Sequence, residues 1–566
     1  MAPACRLVAP VTAPSAPPAI VQAVLDRLYA ARGVEDRAAE TRGLAALAAP
    51  DDLSGLDLAT GALAEAMARD ERILVIGDYD ADGATGTALA VRGLRRLGAR
   101  DVHYLIPDRA REGYGLSAAI VARAATLEPR WILTVDNGIN SLEGARAARE
   151  RGLRLIITDH HLPGPTLPEA VAIVNPNQPA DRFPSKALAG VGVVLYVLIA
   201  LRRRLGAEHV SLADLLDLVA LGTVADCVPL DANNRVLVRE GLRRMNAGRA
   251  CAGIEALLLV SGRRPGRIYA QDLGFQIGPR LNAAGRLADM SVGVRCLLTD
   301  DRAEALALAR ELDALNRERR EREAQMQAEA SARLAVSVEA DTLSAGICLM
   351  EPHWHPGVVG ILAGRLKDAH KRPAIAFAPA DDGSLRGSGR SVPTLNLRDT
   401  LAAIGERHAG LIRQFGGHAA AAGLTIAEDD YPRFAAAFAD EVERRIGRGP
   451  FIDARGDGVL QPEELTLALA SAIRAGGPWG NGFPEPLFEG LFGVVEAAVV
   501  KEAHLRLRLA VDGRDEPMKA VAFRCNQAPA IGSAIAVRYH LGVDDFGGRE
   551  TLCLYVAEWS AVSPKP

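Results

Sequence analysis

The chain has 566 residues, of which 49% are hydrophobic, and a formal net charge of −4 at pH 7. This length predicts about three or four domains with large cores. The net negative charge excludes a protein that attracts nucleic acid over its whole surface, so a nucleic-acid partner would have to bind at local basic patches. The seven scattered cysteines exclude a disulfide framework and a zinc knuckle, and the absence of both a secretory signal pattern and a membrane-length apolar run predicts a cytoplasmic protein without membrane association.

The predicted elements begin with a helix near 19–32, within an alanine- and proline-rich segment. From residue 72 onward, short apolar runs alternate with alanine-rich helical stretches. This alternation indicates βαβ units and a parallel sheet covered by helices on both faces. The apolar runs lie at 73–77, 102–106, 131–135 and 153–158, and the helical stretches at 84–97, 117–127 and 141–151.

Helical patterns dominate from 186 to 260, and 301–335 contains neither Gly nor Pro. The latter predicts a helix about 50 Å long that separates two domains. A second α/β region follows, and short alternating strands such as HLRLRLAV (504–511) are typical of a small barrel. The predicted fold class is therefore α/β, with a parallel-sheet domain, a second α/β domain joined by a long helix, and a C-terminal OB-like β-barrel.

The expected boundaries are 1–70 for an N-terminal helical or irregular segment, 71–300 for the parallel-sheet domain, 301–338 for the connecting helix, 339–452 for the second α/β domain and 453–566 for the barrel.

Acidic and imidazole side chains follow the predicted strands, at the sheet edge where parallel sheets bind ligands. They are Asp78, Asp80 and Asp82 after ILVIG; Asp136 after WILTV; Asp159, His160 and His161 after LIIT; and Asp226 after an apolar run that fits a helix or a strand. Two carboxylates at about 4 Å repel by on the order of 1 kcal/mol in water and by more near a protein surface. The cluster therefore requires a cation, and its ligand types suit Mn²⁺ or Mg²⁺.

Simpler interpretations exist for each member of this cluster. A single aspartate after a strand is usually a helix N-cap, which fits Asp78 well, and the two histidines could be structural residues held by hydrogen bonds. The concentration of all these groups at one edge favours a metal site over those alternatives. A two-metal site needs a bridging carboxylate, and Asp136 is the candidate.

The motifs GDYDADGATG, VDNGI, TDHH and GTVADCVPL, in this order, resemble those of the DHH phosphoesterase superfamily. Within it, GFQIGPRLNAAGRL (274–287), WHPGVVGILAGRL (354–366), GSGRS (387–391) and FGGHAAAAGLTI (415–426) are similar to the bacterial single-strand-specific DNA exonucleases of the RecJ family. The resemblance covers about 70–430 and extends, more faintly, through the C-terminal tail. One departure is Ala84, where the family is expected to have a larger apolar residue, and it affects no ligand.

The resemblance implies roles for individual residues. The implied ligands of two Mn²⁺ or Mg²⁺ ions are Asp80, Asp82, Asp136, His160 and Asp226, with Asp78 aligned but its contact with metal left open. Asp159 would orient His160, and His161 would stand beside the scissile phosphate. The implied 5′-phosphate ligands are Arg109, Arg280, Ser388 and Arg390, and further substrate contacts are expected from Asn282, Arg286 and His418.

The implied function is 5′-to-3′ exonuclease cleavage of single-stranded DNA in repair and recombination. The implied partners are single-stranded DNA and also a single-strand-binding protein and a RecQ-type helicase, and we expect a monomer. Two alternatives remain open at this point. One is a DHH-family phosphodiesterase that acts on oligoribonucleotides or cyclic dinucleotides; the other is a catalytically inert DNA-binding scaffold in replication or repair.

Overall fold

The computed structural model describes residues 19–34, 42–109, 112–339, 343–380, 382–449, 451, 456–500, 504–545 and 549–562. Part of the predicted N-terminal segment, 1–70, lies outside the described residues. Helix α1 (Ala19–Ala30) buries Val21, Val24, Leu25 and Leu28 in the same core as the C-terminal barrel. The predicted fold class is confirmed by the sheets and the barrel.

The first sheet is parallel throughout, as the alternating pattern predicts. After α2 (Leu56–Ala68) come β1 (Ile73–Ile76), α3 (Ala81–Arg96), β2 (Val102–Leu105), α4 (Ala118–Ala125), β3 (Trp131–Val135), α5 (Leu142–Glu150), β4 (Arg154–Thr158) and β5 (Ala172–Val174). The strand order is β2-β1-β3-β4-β5. Successive side chains of β1 enter different cores, Ile73 on one face and Leu74 on the other, so β1 is buried on both faces.

A helical layer completes this domain and leads into the long helix. It contains α6 (Gly190–Arg204), α7 (Leu216–Ala225), α8 (Ala232–Asn246), α9 (Ala252–Val260), a helical turn at Ala270–Asp272 with a π-helical segment at Leu273–Ile277, α10 (Gly278–Leu287), α11 (Ser291–Leu298) and α12 (Arg302–Glu339). Short 3₁₀ turns lie at Gly43–Ala46, Pro50–Asp52, Ala213–Leu215 and Glu428–Asp430. Helix α12 packs along α10 and also reaches the second domain.

The second domain is a mixed sheet with helices. It comprises β6 (Ile347–Met350), α13 (Val359–His370), β7 (Ala374–Pro379), β8 (Ser384–Arg390), α14 (Leu397–Arg407), β9 (Gln414–Gly417), β10 (Ala421–Ala427) and α15 (Tyr431–Ile446). Its strand order is β6-β7-β8-β10-β9. The ion pair between Glu323 of α12 and Arg365 of α13, 2.7 Å long, ties the long helix to this domain.

The C-terminal part is a closed five-stranded barrel in the order β11-β12-β13-β15-β14. It consists of α16 (Leu467–Ala475), β11 (Phe488–Val500), β12 (His504–Ala510), β13 (Met518–Phe523), β14 (Ala534–Asp544) and β15 (Thr551–Ala561). Among the described residues, no helix combines the length and the apolar character that crossing a bilayer requires.

Candidate metal centre

The loop from β1 into α3 carries the first three aspartates. Asp80 is the N-cap of α3 and accepts a hydrogen bond from the Gly83 N–H at 2.9 Å. Asp78 is buried beside it. A Cβ on Gly83 would lie 2.6 Å from the backbone of Asp78, so glycine is required for this tight fold.

The Asp82 carboxylate connects this loop to α6. Its two oxygens accept hydrogen bonds from the Gly190 N–H at 2.6 Å and the Val191 N–H at 2.9 Å, in the first turn of α6. A Cβ on Gly190 would come within 2.6 Å of Asp136 Cβ, so the helix start lies against both aspartates. The positive end of the α6 dipole therefore faces the acidic cluster.

Asp136 adopts a left-handed backbone conformation with φ of 62°, which is uncommon for a residue with a side chain. Its Oδ1 atom lies 3.0 Å from His160 Nε2. The neighbouring Asn137 donates hydrogen bonds from Nδ2 to the Ile76 and Val135 carbonyls, which fastens this turn to the ends of β1 and β3. The strained backbone is thus held by its surroundings at the point where β3 ends.

Asp159 organises the histidine pair. Its Oδ1 accepts hydrogen bonds from the backbone N–H of His160 at 2.7 Å, and from His161 through both the backbone N–H and ring Nδ1. Asp159 holds His160 through the backbone N–H, whereas its ring hydrogen bond, 2.7 Å long, goes to His161, so the orientation of His160 by Asp159 stays a prediction. The His160 ring points instead toward Asp136 and Asp226.

Asp226 arrives at the site from the end of helix α7. Its Oδ2 lies 3.6 Å from His160 Nε2. Three overlapping groups of ligand atoms result, each within 4.8 Å, and they are Asp78–Asp80–Asp136, Asp136–His160–His161 and Asp82–His160–Asp226. Asp136 and His160 each belong to two of these groups, which is the placement expected of residues shared by two ions.

These residues fit a divalent cation. Four buried atoms that face one another have no hydrogen-bond partner among the residues that the structure describes, namely Asp78 Oδ1, Asp136 Oδ1, His160 Nε2 and Asp226 Oδ2. Buried polar atoms are normally paired. Burial and the neighbouring carboxylates raise the pKa of Asp78, Asp82 and Asp136 well above the usual range, while burial lowers the pKa of His160. A bound cation would satisfy these atoms and favour the charged carboxylates.

His161 is electrostatically distinct from His160. Burial lowers the pKa of His161, but the hydrogen bond and the negative charge of Asp159 outweigh burial and raise that pKa to about 9. The Tyr114 hydroxyl lies 3.2 Å from His161 Nδ1 and donates to the Asp136 carbonyl at 3.1 Å. Tyr114 is not among the site residues that the sequence patterns predict; the signal for it is the flanking pair Gly113 and Gly115, both with positive φ, which fix the turn that presents it.

A cluster of guanidinium groups borders the metal centre. Arg286 is half-buried, and desolvation together with the charges of Arg109 and Arg390 lowers its pKa to about 10. Arg390 donates to Ser388 Oγ at 3.3 Å and to the Gly389 carbonyl at 2.8 Å. Among the described residues, no ion pair includes Arg286 or Arg390. We call Arg109, Arg286, Ser388 and Arg390 the arginine pocket; it is suited to an anion.

Arg280 does not join the arginine pocket as a free cation. Its Nε and Nη2 atoms both lie 2.9 Å from Asp313 Oδ1 on α12. Phosphate capture by Arg280 stays a prediction, and it requires the arginine to share or leave Asp313. Asn282 Oδ1 accepts the Ala81 N–H at 2.8 Å, so Asn282 fastens α10 to the start of α3.

The second domain brings His418 to the metal centre. This residue follows β9, and the centroid of its ring lies 6.1 Å from that of His161. Arg109 stacks on the loop after β1, with its guanidinium carbon 4.9 Å from the Tyr79 ring centroid. Each predicted site residue thus lies in or beside the metal centre or the arginine pocket, except Arg280, whose side chain pairs with Asp313. Asn282 lies beside the metal centre, but its Oδ1 is engaged by the Ala81 N–H.

Comparisons with known proteins agree with this architecture. Residues 72–223 match the DHH family, N-terminal domain; 341–444 match the DHHA1 domain; and 456–558 match the RecJ OB domain. The single-stranded-DNA-specific exonuclease RecJ of Dickeya dadantii (strain 3937) is 48% identical, over 96% of this chain and 97% of that protein.

Solved structures agree as well. The crystal structure of RecJ in complex with Mn²⁺ from Thermus thermophilus has a TM-score of 0.79 and 32% identity, and the match covers 97% of this chain and 77% of that one. The corresponding Mg²⁺ complex has a TM-score of 0.73 and 30% identity, over 97% of this chain and 76% of that one. By its sequence and its three domains, the chain belongs to the RecJ family of single-stranded-DNA-specific exonucleases.

Proposed function

We propose that this protein is a Mn²⁺- or Mg²⁺-dependent exonuclease that degrades single-stranded DNA from the 5′ end, in DNA repair and recombination. The observation that carries the proposal is the pairing of two features. Within the part of the chain that the structure describes, four ligand atoms without a hydrogen-bond partner converge at the metal centre. Beside them in the arginine pocket, the hydrogen bonds of Arg286 and Arg390 go to the Gly357 and Gly389 carbonyls and to Ser388 Oγ, and none goes to a described carboxylate. An anionic polymer with a terminal phosphate would satisfy both.

The metal centre supplies the chemistry. When bound, the divalent ions would polarise a phosphodiester and activate water. The residues that would hold them are Asp78, Asp80, Asp82, Asp136, His160 and Asp226. His161, fixed by Asp159, is placed to stabilise charge on the phosphate or to give a proton to the leaving 3′ oxygen.

The arginine pocket supports cleavage from the 5′ end. Asp80 acts electrostatically on Arg286, so the pocket and the metal centre are neighbours. A terminal phosphate held there would present the adjacent phosphodiester to the metals, whereas a strand that enters by its 3′ end has no terminal phosphate to offer. Ser388 and Arg390 lie on β8, which is a rigid element for positioning a ligand.

The barrel supports a substrate that is single-stranded. On its outer surface Phe523 is 62% exposed and its ring stacks on Tyr555, with centroids 6.1 Å apart. His504 lies opposite Phe523 on β12, and the exposed Arg506 follows two residues later on the same face. Aromatic rings and arginines on one barrel face are the groups that bind bases and backbone of single strands.

Digestion of end-labelled DNA tests the proposal. We expect Mn²⁺- or Mg²⁺-dependent release of nucleotides from the 5′ end of single strands, faster with a 5′ phosphate, and loss of cleavage in Asp136→Ala. Equal rates on a blunt duplex would contradict the proposal. Inactivity with both metals would favour the inert scaffold. Preference for oligoribonucleotides or cyclic dinucleotides would favour the DHH-family phosphodiesterase. Neither alternative is favoured by the sequence and structure, because the acidic and imidazole groups that could hold metal are all present and 456–558 match the RecJ OB domain. Binding to a single-strand-binding protein or a RecQ-type helicase, and a monomeric state, stay predictions.

A further inference from the structure

The chain reverses direction immediately after the ligand Asp226. Cys227 adopts a left-handed conformation with φ of 60°, and it starts the exposed connection between α7 and α8. Among the described residues the Asp226 carboxylate has no hydrogen-bond partner at Oδ2, and its ion-pair contact is with His160 Nε2 at 3.6 Å. Helix α7 holds the Asp226 backbone from one side, through a hydrogen bond from its N–H to the Gly222 carbonyl at 2.9 Å, and the backbone at Cys227 holds it from the other.

Asn481, from the C-terminal part of the chain, holds this connection at both ends. Its side-chain Nδ2 donates to the Cys227 carbonyl at 2.8 Å. Its backbone carbonyl accepts the Leu230 N–H at 2.7 Å. One residue, 254 positions beyond Cys227 in sequence, thus makes hydrogen bonds on each side of the exposed turn.

The turn that carries Asn481 is built for close approach. Gly480 N–H donates to the Phe483 carbonyl at 2.9 Å, which closes a tight turn. A Cβ on Gly480 would lie 2.8 Å from Leu230 Cδ1, and one on Gly482, whose φ is +71°, would lie 3.0 Å from Pro229 Cβ. The turn and the connection therefore touch closely, and larger residues would separate them.

The same turn is rigidly anchored in the barrel core. Phe483 is buried and stacks on Trp479 with ring centroids 5.0 Å apart. Arg235 of α8 lies over the Phe483 ring at 4.3 Å and donates to the Leu230 carbonyl at 2.9 Å. The barrel core, the turn and the connection after Asp226 thus form one continuous set of contacts.

We propose that Asn481 is a positioning residue for Asp226, so that the C-terminal part of the chain completes the metal centre as well as carrying the barrel. The proposal rests on the proposed function in that Asp226 is taken as a metal ligand. It assigns to the residues 480–482 a role in metal affinity that does not depend on contact with DNA. Residues that orient metal ligands from outside commonly change metal affinity by about 10- to 100-fold.

Mn²⁺ binding by the full chain without DNA, followed by electron paramagnetic resonance of free Mn²⁺, tests this role. We expect Asn481→Ala and the isosteric Asn481→Asp, which lacks the donor to Cys227, to weaken one class of Mn²⁺ site by about 10-fold. The matched control is Asn526→Ala, an exposed asparagine of the same domain, and it should bind Mn²⁺ as the wild type does. Unchanged affinity in both Asn481 variants would overturn the proposal, whatever happens to their thermal stability.

A double-mutant cycle separates positioning from a general effect. In an Asp226→Ala background the affinity should already be lowered, and adding Asn481→Ala should change it no further. Additive losses would show that Asn481 acts elsewhere and would overturn the proposal. If the proposed function were wrong, the result would be different: Mn²⁺ affinity would still depend on Asn481, but the wild-type protein would not cleave DNA.

Discussion

Asp136 Oδ1 and His160 Nε2 lie 3.0 Å apart at the ends of the adjacent parallel strands β3 and β4, and neither atom has a hydrogen-bond partner in the described ranges of the chain. Each of the two residues also belongs to a second group of ligand atoms. The pair therefore occupies the centre of the acidic cluster, where one carboxylate and one imidazole can serve two ions. Predictions about the site follow from what surrounds this pair.

Replacement of Asp159 should lower turnover more than metal affinity. In Asp159→Asn the amide cannot accept the Ile139 N–H and the His161 ring hydrogen bond together, so the His161 ring loses its fixed orientation. We expect kcat to fall by about 10- to 100-fold with a smaller change in Mn²⁺ affinity. Steady-state kinetics and Mn²⁺ titration measure the two effects. If Asp159→Asn lowered kcat by the same factor in a His161→Ala background as in the wild type, the two residues would act independently, and this role of Asp159 would be contradicted.

Arg390→Lys should reduce the preference for a 5′ phosphate. Lysine keeps the charge but cannot make two parallel hydrogen bonds to one phosphate, and a loss of about 1.4 kcal/mol corresponds to a tenfold weaker interaction. The measurement is KM for single strands with and without a 5′ phosphate. Arg386→Lys is the matched control, since Arg386 is exposed on the same strand. If Arg390→Lys raised both KM values alike, the arginine pocket would bind backbone and not the terminal phosphate.

Gly285→Ala should disturb the metal centre from a distance. A Cβ at Gly285 would lie 1.7 Å from the Tyr79 carbonyl oxygen, so α10 would have to move away from the loop that carries Asp78 and Asp80. Overpacking of this kind costs about 1–3 kcal/mol, and Mn²⁺ affinity should fall with stability. Gly405→Ala, in helix α14 with open space around it, should instead be stabilising by up to about 1 kcal/mol. Denaturant unfolding and Mn²⁺ titration of both variants give the comparison.

Stability should depend on pH through Glu441. This carboxylate is 2% exposed and contacts Arg407, Arg444 and Arg445. The hydrogen bond from Arg444 first, and those from Arg445 and Arg407, outweigh burial and lower the pKa of Glu441 to about 2. Because the pKa of Glu441 is lower in the folded protein than in the unfolded chain, its charge stabilises the fold fully above the unfolded-chain pKa of about 4.5. This stabilisation is lost as the pH falls toward the folded-state pKa of about 2.

We expect Glu441→Gln to destabilise the protein by about 2 kcal/mol at pH 6, less than the full shift implies because the arginines are partly exposed. The difference between variant and wild type should shrink as the pH falls to about 3. Urea unfolding at the two pH values measures it. A difference that stays constant with pH would mean that the Glu441 charge is not what stabilises this cluster.

Much of the metal centre could be predicted from the sequence because it depends on local chain order. Asp80, Asp136 and His160 each follow an apolar run, and parallel strands end at the same sheet edge. The placement of Asp226 is harder to predict, because the apolar run that precedes it fits a helix or a strand; in the structure this run is helix α7.

Other contacts depend on segments far apart in sequence, which no local pattern reveals. Asp313 of α12 engages Arg280, and Asn481 engages the connection after Asp226. The loop conformation after β4 turns the His161 ring, and not the His160 ring, toward the Asp159 carboxylate, while His160 contacts Asp159 through its backbone N–H. Spacing in sequence does not determine which of two adjacent rings faces a third group.

The clustered carboxylates are stable together because they hold divalent cations, and titration of metal-free protein with Mn²⁺, followed by electron paramagnetic resonance, measures this binding. We expect two bound Mn²⁺ per wild-type chain and at least about tenfold weaker binding in Asp136→Asn, since a shared ligand should matter no less than an outer partner does. If the wild-type chain bound no Mn²⁺, or if Asp136→Asn bound it equally well, cations would not be what stabilises the cluster.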